Sequence, residues 1–195
     1  MHLNRRRLVA LTLPIALALP IALVACSSAN PVLYTIAVTQ GPVLPAGPKI
    51  VQLRDIGLAG YLDRKEIVRS SDGYKLAVKN NDWWGESLGP MISRVIVVEL
   101  SQRLPASNVY AEGGAISVDA NATVAVNIQR ADVDQSGTLA LLAQAVVNFN
   151  RPTRTVAKTF SITRPVATPD VAGQVAAMSD ALGELADGLA QMLQP

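Results

Sequence analysis

Apolar and polar positions alternate from Val32 to Thr39. Val32, Tyr34, Ile36 and Val38 fall on one side, and Leu33, Thr35, Ala37 and Thr39 on the other, the period of two expected of a strand. Gly41-Pro42-Val43-Leu44-Pro45-Ala46-Gly47-Pro48 then forms a stiff loop, too rich in proline to join a ladder. A second strand is predicted from Lys49 to Ile56, broken by Gly57 to Gly60, with extended chain resuming over Glu66 to Arg69. Ser71-Asp72-Gly73 is a turn signal, after which Tyr74, Leu76 and Val78 alternate with Lys75, Ala77 and Lys79. Here the period changes. Leu88, Ile92, Val95, Ile96 and Leu100 recur near 3.6, predicting a helix from Ser87 to just before Pro105, with Pro90 tolerated in its first turn.

Three long strands follow. Val124, Val126 and Ile128 oppose Ala125, Asn127 and Gln129, and Asp132 to Gly137 makes a turn. Leu139, Leu141, Ala143, Ala145, Val147 and Phe149 line one face of the next strand. Leu142 and Val146 make its other face apolar as well, so it is central or covered on both sides. Arg151-Pro152 turns the chain into a third strand, Val156 to Thr163. Thr168-Pro169-Asp170 starts a closing helix, with Thr168 as capping hydroxyl. Its unbroken apolar stripe is Val171, Val175, Met178, Leu182, Leu185, Leu189 and Met192, and Gly183 and Gly188 in the same helix each cost about 1 kcal/mol relative to Ala. The pattern reads β-β-β-β-α-β-β-β-α: an α+β fold in which a single, mainly antiparallel sheet packs with two helices.

The first 25 residues follow another logic. Arg5, Arg6 and Arg7 precede an apolar run from Leu8 to Ala25, the basic and hydrophobic regions of an export signal. A retained transmembrane helix is the alternative, since the run could just span a bilayer. Pro14, Pro20 and the polar residues after Cys26 argue against it. Leu23-Val24-Ala25-Cys26 resembles the lipobox of bacterial lipoproteins, in which the signal is cut before a cysteine that carries fatty acyl chains. The resemblance implies a signal peptide over 1–25, lipidation at Cys26 and a short tether over 26–31. One acyl chain binds a membrane marginally, whereas two or more hold it stably. Ser27 after the cysteine, by the same resemblance, favours the periplasmic face of the outer membrane.

Composition removes whole classes of chemistry. Of 195 residues 50% are hydrophobic, ample for one core, so a folded domain is expected and not a disordered chain. Three of the 17 basic residues lie in the leader, which leaves 14 against 15 acidic residues. A chain so balanced lacks the basic surface that phosphate neutralisation needs, so nucleic acid is not a partner. The single histidine, His2, lies in the leader, and Cys26 is the only cysteine. No internal disulfide, Ser–His–Asp triad, Cys–His dyad or histidine-ligated zinc can then be built after cleavage. What remains for an enzyme is carboxylates, Ser–Lys pairs or a metal on oxygen ligands. None of these is expected to form a catalytic or metal site, and no cofactor is expected apart from the covalent lipid on Cys26.

Three motifs have ordinary explanations. Gly85-Glu86-Ser87-Leu88-Gly89 matches the nucleophile elbow of α/β hydrolases, but no histidine can take the serine proton, and Asn80-Asn81-Asp82 does not read as the strand an elbow requires. Ser87 is expected to cap the helix. Asp132-x-Asp134-x-Ser136-Gly137 begins like a calcium loop, yet the twelfth position is Ala143 instead of glutamate, so a hairpin turn is expected. Asn121-Ala122-Thr123 is a glycosylation sequon by pattern alone.

Tyr61-Leu62-Asp63-Arg64-Lys65-Glu66-Ile67-Val68 resembles the "YLDRPQIV" stretch of the ABC-type transport auxiliary lipoproteins, of the PqiC/YmbA type. Trp84-Gly85-Glu86-Ser87-Leu88 is similar to that family's "WAEPL" before a helix, and Tyr34-Thr35-Ile36 to its opening "YxL". The departures are Lys65-Glu66 for Pro-Gln, Gly85 for Ala, Ser87 for Pro, and an added Pro90. The resemblance implies one auxiliary lipoprotein domain over 32–195. It implies a non-catalytic docking component that works with a periplasm-spanning MCE-domain (mammalian cell entry, PqiB-type) protein in lipid traffic between membranes. A carrier holding lipid in its own cavity is the alternative. The sequence leaves open whether the chain forms a homo-oligomer. Tyr61, Leu62, Asp63 and Arg64 are the candidate partner contact. Against it stands an ordered loop with Tyr61 and Leu62 packed inward and Asp63 paired to Arg64. Trp83 and Trp84 are expected to staple the first helix to the sheet.

Overall fold

The computed structural model describes residues 30–70, 73–117 and 119–195. The expected signal peptide, Cys26 and the start of the expected tether lie outside the described residues. In chain order the elements are β1 (Val32–Tyr34), β2 (Ile50–Leu53), β3 (Gly57–Leu58), β4 (Glu66–Ser70), β5 (Leu76–Trp84), α1 (Leu88–Arg103), β6 (Asn108–Ala111), β7 (Ala122–Val133), β8 (Thr138–Asn150), β9 (Thr153–Pro165) and α2 (Val171–Met192). The α+β class and both helices are as the periodicity predicts.

The sheet arrangement corrects the expectation. Two sheets form instead of one, a small one in the order β1-β5-β4 and a larger one in the order β6-β2-β7-β8-β9, with β3 also on β7. Antiparallel pairing is confined to β4–β5, β7–β8 and β8–β9. Strand β1 runs parallel to β5, and β2 runs parallel to both β6 and β7. Alternation along a strand specifies which face is buried but carries no information about which neighbour supplies the ladder. The helix α1 makes the crossover that lets β6 arrive parallel to β2, as parallel pairs require.

Local boundaries shift for identifiable reasons. The alternation of 32–39 does not continue as strand beyond Tyr34, because the next amides bond to helix side chains. Ile36 N–H faces Met91 Sδ at 3.3 Å, Ala37 N–H donates to Ser179 Oγ at 3.1 Å, and Thr39 N–H to Glu99 Oε1 at 2.8 Å. Strand β5 continues through Asn80-Asn81-Asp82 to Trp84, held there by β1. The short β6, unanticipated, has one buried residue to signal it, Val109.

The core lies between the inner face of β2-β7-β8-β9 and the two helices. Val51, Leu53, Val124, Ile128, Leu139 and Ala143 from the sheet meet Ile92, Ile96, Leu100, Leu182, Leu185 and Leu189, all fully buried. Burying a large aliphatic side chain contributes ~1.5–3 kcal/mol, so this interface dominates the stability.

Candidate functional site

The segment after β1 lies as a strap across the groove between α1 and α2. Its successive contacts are Met91, Ser179, Glu99, Arg103 and finally Gln194, whose Nε2 donates to Ala46 O at 2.6 Å. These partners ascend both helices together, so α1, α2 and the strap run in the same direction. At the centre Arg103 is fully buried. Its Nε donates to Asp187 Oδ1 at 2.5 Å, its Nη1 to the carbonyls of Thr39 and Glu99, and its Nη2 to Gly183 O at 3.0 Å. Glu99 Oε1 accepts from both the amide and the hydroxyl of Thr39, while Oε2 has no partner. Burial pushes the Glu99 carboxyl above its ordinary range, against the pull of the Thr39 donors and Arg103.

The 61–64 loop divides in two. Tyr61 OH donates to Asp132 Oδ2 at 2.7 Å, and burial followed by that bond raises its pKa strongly. Leu62 is 4% exposed. Asp63 and Arg64 project into solvent, and Arg64 pairs with Glu66 at 3.1 Å, not with Asp63. The packing of Tyr61 and Leu62 is that of the ordered-loop alternative and corrects the four-residue contact: only Asp63 and Arg64 are exposed, and Arg64 is not paired with Asp63. Behind the loop Lys65 Nζ lies 3.9 Å from the Trp83 ring centre, while Trp84 is buried in the core.

Strand β5 running into α1 does supply the strand–turn–helix context that the elbow motif requires. Ser87, however, has φ −56° and ψ 132°, with none of an elbow's strain, and its side chain makes no capping bond. The expected hydroxyl cap is therefore absent. At α2 the cap is Asp170, not Thr168: Asp170 Oδ1 accepts from Gly173 N at 2.9 Å and from the Thr168 hydroxyl at 2.6 Å. The 134–137 segment is a hairpin turn. Asp134 Oδ1 gathers the Ser136 and Thr138 amides, and Gly137 sits at φ +77°, where a side chain is strained. Asp132 is turned inward to Tyr61 and Arg130. Asn121 Oδ1 accepts from Ile50 N, tying β2 to the start of β7. Among the described residues no group of three or more His, Cys, Asp or Glu side chains could hold a metal. None of their helices is long and apolar enough to cross a membrane.

Clefts open on two sides. One of about 650 Å³ lies along α1 between Ile56, Val97 and the glycines 113–114. Another, of about 420 Å³, lies at the 150–153 turn between Phe149, Leu193 and Pro48, with Lys49, Arg151 and Arg154 in its walls. No sequence signal marks this second cluster, because its residues lie up to 148 positions apart, from Gly47 to Pro195, and meet only where the strap, the turn and the C-terminus converge.

A strapped helix pair packed on a mixed sheet defines an α+β domain. The family model for the ABC-type transport auxiliary lipoprotein component matches residues 33–190, and the chain belongs to that family. A search of curated proteins finds no match. Among solved structures the fold is similar to protein XCC0632 from Xanthomonas campestris, at 21% identity and TM-score 0.68, covering 83% of this chain and 94% of that one. An uncharacterised protein is similar at 14% identity with the same TM-score, covering 83% of this chain and all of the other. At such identities the likeness shows the fold alone.

Proposed function

We propose that the chain is a periplasmic lipoprotein held at the outer membrane by acyl chains on Cys26. It serves there as a non-catalytic docking component of an MCE-type ABC system that moves lipid between membranes. Family membership supports the transport-auxiliary role, and the leader, Cys26 and Ser27 support the anchor. The observation that carries docking is the mounting of the 61–64 loop. Tyr61 and Leu62 fasten it to the domain, so Asp63 and Arg64 are presented on a rigid base. Preorganised contacts lose little entropy on binding. The carrier alternative has less support, because the core between sheet and helices is filled by fully buried aliphatic side chains and the cleft of about 650 Å³ along α1 opens to solvent.

A photo-crosslinking residue at Asp63, in the full lipidated chain in membranes, should capture an MCE-domain protein identified by mass spectrometry. Introducing Asp63→Lys with Arg64→Glu should abolish the association while circular dichroism and Tm hold, since both side chains are exposed. Absence of any MCE-domain protein among the crosslinked products would overturn the reading.

A further inference from the structure

We propose that the cleft at the 150–153 turn binds the anionic head of an amphiphile, a phosphate group carrying a short apolar tail. The pairing of arginines across the molecule singles this cleft out. Arg54, Arg64, Arg94, Arg103, Arg130 and Arg164 each form an ion pair with a glutamate or aspartate. Arg69 donates to the Pro169 carbonyl. Arg151 and Arg154 have no carboxylate partner among the described residues, and both line this cleft together with Lys49. No aspartate or glutamate lines it.

The arrangement is partly set before any ligand arrives. The Arg154 guanidinium lies 4.1 Å from the Phe149 ring centre, and its Nη2 donates to Gln194 O at 2.8 Å. A stacked, tethered guanidinium is held in one plane, and that plane is what bidentate phosphate recognition uses. Asn121 lines the cleft too, with its Oδ1 already engaged by Ile50 N, so its amide nitrogen remains as a neutral donor. The floor is apolar, formed by Phe149, Pro48 and Pro152 over the buried Leu193. Its volume of about 420 Å³ lies within the ~300–1,000 Å³ of small-molecule sites. Cations alone would fit any acid. The apolar floor beneath them selects one with a hydrophobic tail.

The site stands apart from the 61–64 loop, so it does not depend on the docking partner, and its failure would leave that reading intact. The full chain in non-ionic detergent is titrated with dihexanoyl phosphatidic acid and followed by native mass spectrometry. Three further probes are uncharged dihexanoylglycerol, inorganic phosphate and hexaglutamate. The phosphatidic acid should bind one to one, about tenfold or more tighter than each of the other three. Lys49→Glu with Arg151→Glu should remove that binding, as should Arg154→Glu, with circular dichroism unchanged in the first variant. Equal binding of the uncharged glyceride would show that the cations do not recognise the ligand. Equal binding of phosphate would reduce the cleft to a free-anion site, and tighter binding of hexaglutamate would make it an acidic-peptide site. Each of these three results overturns the proposal.

Discussion

Arg103 and Glu99 lie one turn apart on α1, yet their partners come from the strap and from α2. The two side chains differ in what their loss should do. Removing the guanidinium leaves Glu99 and Asp187 facing each other without compensation, the kind of change that costs ~3–5 kcal/mol. Glu99 is the subtler case. Burial raises its pKa in the folded chain, so the folded state binds a proton more tightly than the unfolded state. The stability this contributes is fully present below the unfolded pKa and is lost as the pH rises through the folded one. Glu99→Gln keeps an acceptor for Thr39 and cannot titrate. Urea melts of the two proteins from the ordinary glutamate range upward should show a falling stability in the parent and a flatter one in the variant. Identical slopes would place the titration elsewhere. By contrast Arg103→Ala should unfold the domain at markedly lower urea at every pH.

Helix α2 shows which part of an element a sequence discloses. Its apolar stripe from Val171 to Met192 predicts a buried helix, and that helix forms. The glycines within the stripe read only as a cost. Their reason is tertiary: a Cβ on Gly183 would run into the Thr39 side chain of the strap, and one on Gly188 into the Phe160 ring. Gly183→Ala gains about 1 kcal/mol of helix propensity, whereas forcing atoms into a packed site typically costs ~1–3 kcal/mol. Thr39 is also fixed by Glu99, so it cannot yield freely, and a net destabilisation is expected in equilibrium unfolding. A stabilised variant would mean that the strap is loosely held. The same limit explains the sheet error. Alternation in β7, β8 and β9 was legible because hairpin turns join consecutive strands. The parallel pairing of β1, β2 and β6 depends on chain segments 50 or more residues apart. The candidate loop was half legible: the packed-inward alternative holds for Tyr61 and Leu62, against the surface contact expected of all four residues, and the Asp132 partner and the Arg64–Glu66 pair belong to the folded neighbourhood.

At the scale of the whole molecule the strap sets a direction. Strand β1 lies parallel to β5 with Val32 beside Asp82, so the N-terminal end of β1 faces the Leu76 end of β5. A cleft brings that end of β5, at Gly73 and Tyr74, against the β7–β8 turn at Asp134 to Ser136. The opposite turn, at Arg151-Pro152, lies beyond the 13 residues of β8, which span ~40 Å at a strand's rise. The tether from Cys26 to Val32 reaches ~20 Å at most when extended. An anchor on Cys26 should therefore hold the β7–β8 turn near the bilayer and turn the cationic cleft toward the opposite membrane. The sequence makes the test clean, since Cys26 is its only cysteine and lipidation consumes that thiol. Gln135→Cys and Arg151→Cys, each labelled with a donor dye in the lipidated protein, are compared by energy transfer to an acceptor lipid at the bilayer surface. Transfer should be efficient from position 135 and weak from position 151. Equal transfer from both would mean that the domain lies flat on the membrane. Stronger transfer from 151 would place the cleft against the anchoring membrane itself, where its amphiphile would be drawn from the outer membrane and not received from across the periplasm.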